Sequence, residues 1–217
     1  MGQGTCSELS TPLRSVIFSC LDVETTGLNP HFGDRICEIA ILRCLDGNPL
    51  DSFQTLINPG RPLSPGASAV NGITNEMVRG APHFREIAHS LLQILEGTAI
   101  VCHNAPFDMS FLVTHLRSLQ LPIPTNPVVD TLALARKCFS FSSNSLGNIA
   151  RHLGFSVENE HRAMGDVHMT RKILKAFLEN LEGKNIKTLE TLLAAQGYRF
   201  GLHLVEPKAV TLPPAVE

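Results

Sequence analysis

Val16-Ile17-Phe18-Ser19-Cys20-Leu21-Asp22-Val23-Glu24-Thr25-Thr26-Gly27-Leu28 runs mostly apolar and then breaks at Thr-Thr-Gly, the pattern of a buried strand that ends in a turn. Within it Asp22 and Glu24 stand at the i, i+2 spacing that turns both side chains to one face. Strand rise alone puts their Cα atoms roughly 6.6 Å apart, so the two carboxylates can converge on one ion or on adjacent ions. Buried like charges this close are unfavourable without a cation, and hard divalent metals prefer oxygen ligands. The competing reading sets both residues past the strand end in solvent, capping the turn.

Outward from this strand, residues 36–44 repeat the apolar run as a second strand. Asp46-Gly47-Asn48 is a hairpin signal, and residues 52–57 form a third strand antiparallel to the second. The three strands make a meander. Residues 58–65, rich in Pro and Gly, read as a loop, and Thr74 with Glu76 can start a short helix. Phe84, Ile87, Ala88, Leu91, Leu92 and Leu95 then recur at helical spacing, with Gly97 as a stop before a strand at 99–102. A helix over 107–119, a short strand at Val128-Val129, a helix capped by Asp130, and helices over 145–153, 163–181 and 186–195 complete the order. Hairpins first and crossovers later predict an α/β fold on a mixed sheet rather than a parallel one.

The chain has 217 residues, 43% of them hydrophobic, which suffices for one globular domain. That domain is expected over 15–183, after a flexible segment 1–14 and before a helix and tail over 184–217. The first dozen residues lack the apolar core of a signal peptide, and no run reaches membrane-spanning length. Six cysteines without a C-x-x-C pair read as buried free thiols of a cytoplasmic protein rather than disulfides or structural zinc. A net charge of −2 excludes a general electrostatic binder of nucleic acid. A metal-filled site would itself supply positive charge where a phosphodiester must lie.

Two further segments break the apolar pattern. His103-Asn104-Ala105-Pro106-Phe107-Asp108 follows a strand and opens a helix, with Asn104 as N-cap, Pro106 in the first turn and Asp108 favoured by the helix dipole. Capping accounts for this segment by itself, but strand ends in such sheets are also where sites assemble. His161-Arg162-Ala163-Met164-Gly165-Asp166 places a histidine on a loop and a carboxylate early in the following helix. A solvated loop histidine is the alternative for His161, and His83, His89, His115, His152 and His168 are assigned to that class. Glu38 and Asp130 read as structural.

The three segments together resemble the motifs of the DEDDh-type 3′→5′ exonuclease family, with the epsilon proofreading subunit of bacterial DNA polymerase III as a near likeness. The motifs are Phe18-x-x-x-Asp22-Val23-Glu24-Thr25-Thr26-Gly27-Leu28, His103-Asn104-Ala105-x-Phe107-Asp108-x-x-Phe111-Leu112 and His161-x-x-x-x-Asp166, and the likeness covers residues 15–181. The resemblance implies an RNase H-like fold, a five-stranded mixed sheet flanked by helices. It implies that Asp22, Glu24, Asp108 and Asp166 hold two divalent ions, Mg²⁺ or Mn²⁺, with His161 as general base. Thr25, Thr26 and Gly27 would offer backbone N–H groups to the terminal nucleotide, Leu28 and Phe107 would flank its base, and Asn104 would touch sugar or phosphate. Many relatives carry His where this chain has Asn71, which removes one expected nucleotide contact.

The function so implied is release of nucleoside 5′-monophosphates from single-stranded or frayed 3′ ends, DNA before RNA, alone or beside a polymerase subunit, and not at a membrane. RNA 3′-end trimming and a non-catalytic, polymerase-associated interaction domain are the alternatives.

Overall fold

The computed structural model describes residues 9–157 and 162–197. Strand β1 (Ile17–Thr25) pairs antiparallel with β2 (Ile36–Leu45), which pairs antiparallel with β3 (Asn48–Leu56). Asp46 and Gly47 join β2 to β3 with φ of 48° and 76°; two positive values in a row are what a tight hairpin turn demands, and Gly47 meets its share without a Cβ penalty. Helices α1 (Pro65–Asn71), α2 (Asn75–Val78) and α3 (Phe84–Leu95) lead to β4 (Ala99–Cys102), which lies parallel to β1. Helix α4 (Ala105–Ser118) crosses over to β5 (Val128–Asp130), parallel to β4. Helices α5 (Thr131–Cys138), α6 (Leu146–His152), α7 (Ala163–Glu182) and α8 (Leu189–Ala195) follow. The strand order is β3-β2-β1-β4-β5, the expected mixed sheet with its meander on one side and its crossovers on the other.

Strand alternation splits the core into two layers. Phe18 and Cys20 of β1 join Ala40, Leu42 and Cys44 of β2 beneath α7, where Val167, Ile173 and Phe177 are buried. Leu21 and Val23 point the other way, with Ile39 and Ile41, against Leu91 of α3 and Met109, Phe111 and Leu112 of α4. Even-numbered β1 residues therefore face α7, and Asp22 and Glu24 continue that row at the strand's end. Odd-numbered residues face α4, the helix that carries Asp108.

Several elements depart from the sequence expectations. Helix α1 occupies a stretch to which no helix was assigned; Ser64 caps it through a bond from Ala67 N at 3.1 Å and Pro65 stands in its first turn, signals that were present but short. Residues 9–14, expected to be flexible, are held: Leu13 is buried, and its N–H donates to Lys187 O at 2.9 Å. Helix α8 starts at Leu189, later than expected, and its Leu189, Leu192 and Leu193 enter the same core as α7. The described flanks of the expected domain thus pack on it. The rest of the expected flexible segment and tail, residues 1–8 and 198–217, lie outside the described residues. His115, expected in solvent, is buried and its Nδ1 contacts Phe111 O at 2.9 Å. Cys20, Cys37, Cys44, Cys102 and Cys138 are free thiols, as expected.

Candidate active site

Asp22 and Glu24 stand where β1 leaves the sheet, at an irregularity in its pairing with β2 between Glu24 and Thr25. Helix α7 brings Asp166, in its first turn, against them. One oxygen from each of Asp22, Glu24 and Asp166 lies within 4.8 Å of the others. Asp108 reaches the same strand from the opposite layer: the Val23 N–H, between the two β1 acids, donates to its Oδ1 at 3.1 Å. Four carboxylates from three elements thus converge on one end of one strand.

Their electrostatics follow from burial and crowding. Burial, then Asp108, Asp166, Glu24 and Glu38, push Asp22 well above the usual carboxylate range. Glu24 is pushed up to about 8 by burial and by Asp166 and Glu38, against a hydrogen bond from Asn71 and the charge of Arg162. Burial also holds Asp108 well above its ordinary value, despite the Val23 N–H. Such a set takes up either protons or a cation, and hard oxygen donors at this spacing suit a divalent ion.

The exonuclease family model RNase T matches residues 19–174, a span that includes all four carboxylates. The chain belongs to this exonuclease family. A DNA polymerase III subunit epsilon-like protein of Rhodobacter capsulatus is 37% identical over 202 residues, 89% of this chain and 28% of that protein. A DNA polymerase III PolC-type of Lactococcus lactis subsp. lactis is 34% identical over 213 residues, 95% of this chain and 13% of that protein. The chain therefore spans only 13 to 28% of the length of these relatives. Exonuclease X in complex with 5′ overhanging duplex DNA superposes with a TM-score of 0.67 at 26% identity, covering 83% of this chain and 99% of that one. The nuclease domain of 3′hExo, a DEDDh family member bound to rAMP, shares the fold with a TM-score of 0.68 at 18% identity, covering 78% of this chain and 95% of that one. The chain has the RNase H-like fold of these neighbours.

Around the acids, the chain arranges the other expected residues unevenly. Thr25 and Thr26 are buried; the Thr25 hydroxyl donates to Gly27 O at 2.6 Å, and the Thr26 N–H is committed to Arg35 O at 2.9 Å. The expectation that Thr26 offers its N–H to a nucleotide is corrected accordingly, because the loop uses that group to close itself. A Cβ on Gly27 would run into the Asp34 carboxylate, which explains glycine there. Leu28 is 84% exposed, and Phe107 is half-buried with its ring against Phe111 at 5.1 Å. Asn104 stands at the N-cap position of α4 but at φ 79° and without a side-chain cap bond, so its expected capping role is also corrected. Its N–H instead donates to Asp130 Oδ1 at 3.1 Å, and its side chain is exposed. His161 lies outside the described residues.

Three neighbours were not assigned to the site from sequence. Asn71 is buried, its Nδ2 donates to Thr25 O at 3.5 Å and its Oδ1 accepts from Ile73 N at 3.0 Å, and it holds the Glu24 proton affinity down against burial. Glu38 sits directly opposite Glu24 in the ladder, and Arg162 answers its charge. The available signal was a lone carboxylate inside an apolar strand. Asp130 caps α5 through Leu132 N at 2.9 Å, as expected of it.

Metal-free protein should lose stability as pH rises. Glu24 binds its proton more tightly folded, at about 8, than at its ordinary 4.5, so its contribution is fully present below pH 4.5 and is lost as pH rises to about 8. Allowing for the solvent that reaches Glu24, about 1–2 kcal/mol is at stake. Glu38 is pushed up by burial but pulled further down by Arg162, Gln54 and Ala163, so it acts only below that window. Thermal unfolding in EDTA should give a lower Tm at pH 8.5 than at pH 5.5, and Mn²⁺ should raise Tm more at pH 8.5. A Tm indifferent to pH and metal would contradict the carboxylate cluster as described.

Proposed function

We propose that this exonuclease trims DNA 3′ ends in the 3′→5′ direction and releases nucleoside 5′-monophosphates. The observation that carries the proposal is the convergence of Asp22, Glu24 and Asp166 within 4.8 Å, with Asp108 fastened between the first two. All four are hard oxygen donors, the chemistry that Mg²⁺ and Mn²⁺ take, and the raised proton affinities of Asp22, Glu24 and Asp108 mark a site that favours added positive charge. Asp22 would face both of two ions, with Glu24, Asp166 and Asp108 completing their shells. Two bound ions supply an acidified attacking water and charge stabilisation at the leaving 3′ oxygen.

The chain's own groups do the rest. His161 would take the proton of the attacking water. Leu28, on the loop that leaves β1, and Phe107, on α4, would flank the terminal base, and Thr25 and Gly27 would line its path. Asn104, freed from capping, would meet sugar or phosphate. Apolar flanking contacts tolerate every base, so sequence preference should be weak.

DNA is favoured by the relatives, a polymerase III epsilon-like protein, a PolC-type polymerase and exonuclease X bound to duplex DNA. The polymerase relatives also suggest a polymerase as partner, which co-purification from cells would test. Free thiols suit a cytoplasmic setting, and no helix among the described residues is long and apolar enough to cross a membrane.

A 5′-labelled single-stranded DNA, incubated with Mg²⁺ or Mn²⁺, should shorten one nucleotide at a time from its 3′ end with release of 5′-monophosphates. A matched RNA should be cut more slowly. Failure to release any mononucleotide, or release beginning at the 5′ end, would overturn the proposal; faster loss of the RNA would replace DNA as substrate.

A further inference from the structure

We infer that Glu38 and Arg162 form a positioning clamp that sets Asp166 against Asp22 and Glu24. Glu38 belongs to the row of β2 that faces α7, one strand over from Glu24. Its side chain is 1% exposed, yet every oxygen is used. Oε1 accepts from Arg162 Nη2 at 2.8 Å and from Gln54 Nε2 at 3.0 Å. Oε2 accepts from Arg162 Nε at 3.1 Å and from Ala163 N at 3.2 Å.

The last bond makes Glu38 the N-terminal cap of α7. Arg162 occupies the N-cap position with extended backbone and no cap bond from its own side chain, so the free N–H of the first turn is satisfied from a different strand. Arg162 O then accepts from Asp166 N at 3.1 Å, which ties the acid one turn further along to the same anchor. Asp166 is thereby referenced to β2 at the point where β2 lies beside Glu24. Two carboxylates opposite each other on one sheet face disfavour the pairing, and a purely structural contact here could be apolar. A forked guanidinium locked on both oxygens instead fixes distance and direction.

The inference rests on the proposed metal site, and its test separates the two. Removing Glu38 takes negative charge from the site and removing Arg162 adds it, so a role through charge alone would move cation affinity in opposite directions. A clamp predicts that both weaken it. Mn²⁺ binding measured by calorimetry should weaken about 10–100-fold in Arg162→Ala and in Glu38→Gln, with Arg162→Lys intermediate. Helix content by circular dichroism serves as the folding control, and Arg162→Gln, which keeps the side-chain stem over the sheet, replaces Arg162→Ala if that variant unfolds. On a DNA 3′ end, kcat should fall in the same order while KM moves less. If the unaltered protein binds Mn²⁺ but Arg162→Ala and Arg162→Gln bind it as tightly or more tightly, the clamp is wrong and the metal site stands. If the unaltered protein binds no Mn²⁺, both are wrong.

Discussion

Asp22→Asn should lower kcat on a DNA 3′ end by about 10³-fold or more while raising the Tm of the metal-free protein at pH 8. The first effect follows from position. Asp22 is the carboxylate on which Asp108, Asp166, Glu24 and Glu38 all act, so it is the natural shared ligand of the set. Loss of its charge should remove several kcal/mol of transition-state stabilisation, and each ~1.4 kcal/mol is tenfold in rate. The second effect follows from burial and repulsion, which hold Asp22 well above the carboxylate range and make its ionised form unfavourable without a cation. Single-turnover digestion and thermal unfolding in EDTA measure the two. Opposite signs mark a group kept for chemistry against stability; if activity and Tm fell together, Asp22 would be structural.

His161→Ala should cost about 10²–10⁴-fold in kcat, the usual weight of a general base. Mn²⁺ affinity should change little, since imidazole is not among the carboxylate ligands. Protonated imidazole accepts nothing, so for the unaltered enzyme kcat should fall as pH drops and the imidazole protonates. The variant should lose that acid limb. Survival of the limb would move the base elsewhere, and His103, in the same motif as Asp108, is one rival. The structure argues against it: His103 Nδ1 contacts Thr131 Oγ1 and Nε2 contacts Asn144 O, each at 2.9 Å, so neither ring nitrogen is spare. His103→Ala should therefore keep the acid limb.

Much of the site was legible because its determinants are local. An i, i+2 pair in an apolar strand has to share a face, and Asp22 and Glu24 do. Asp108 and Asp166 were placed at helix starts by short signals and by the resemblance, and both helices begin there. Asn104 went astray for the same reason that it looked clear. Capping is a local statistic, whereas Asn104 has a left-handed backbone whose N–H is held by Asp130, a residue 26 positions away.

From the sequence alone came the strand order of the meander, the face on which β1 carries its acids and the motif set that marks the family; period-two alternation and turn chemistry act over a few residues and can be read along the chain. Only the tertiary structure decided how the acids are served. Asn71 lowers the proton affinity of Glu24 from a helix that only short sequence signals announce, and Arg162 crosses 124 positions to Glu38. Those pairs depend on the register of β1 against β2 and on where α7 lands across the sheet. Both are set by the packing of the whole core, which no window of neighbouring residues contains.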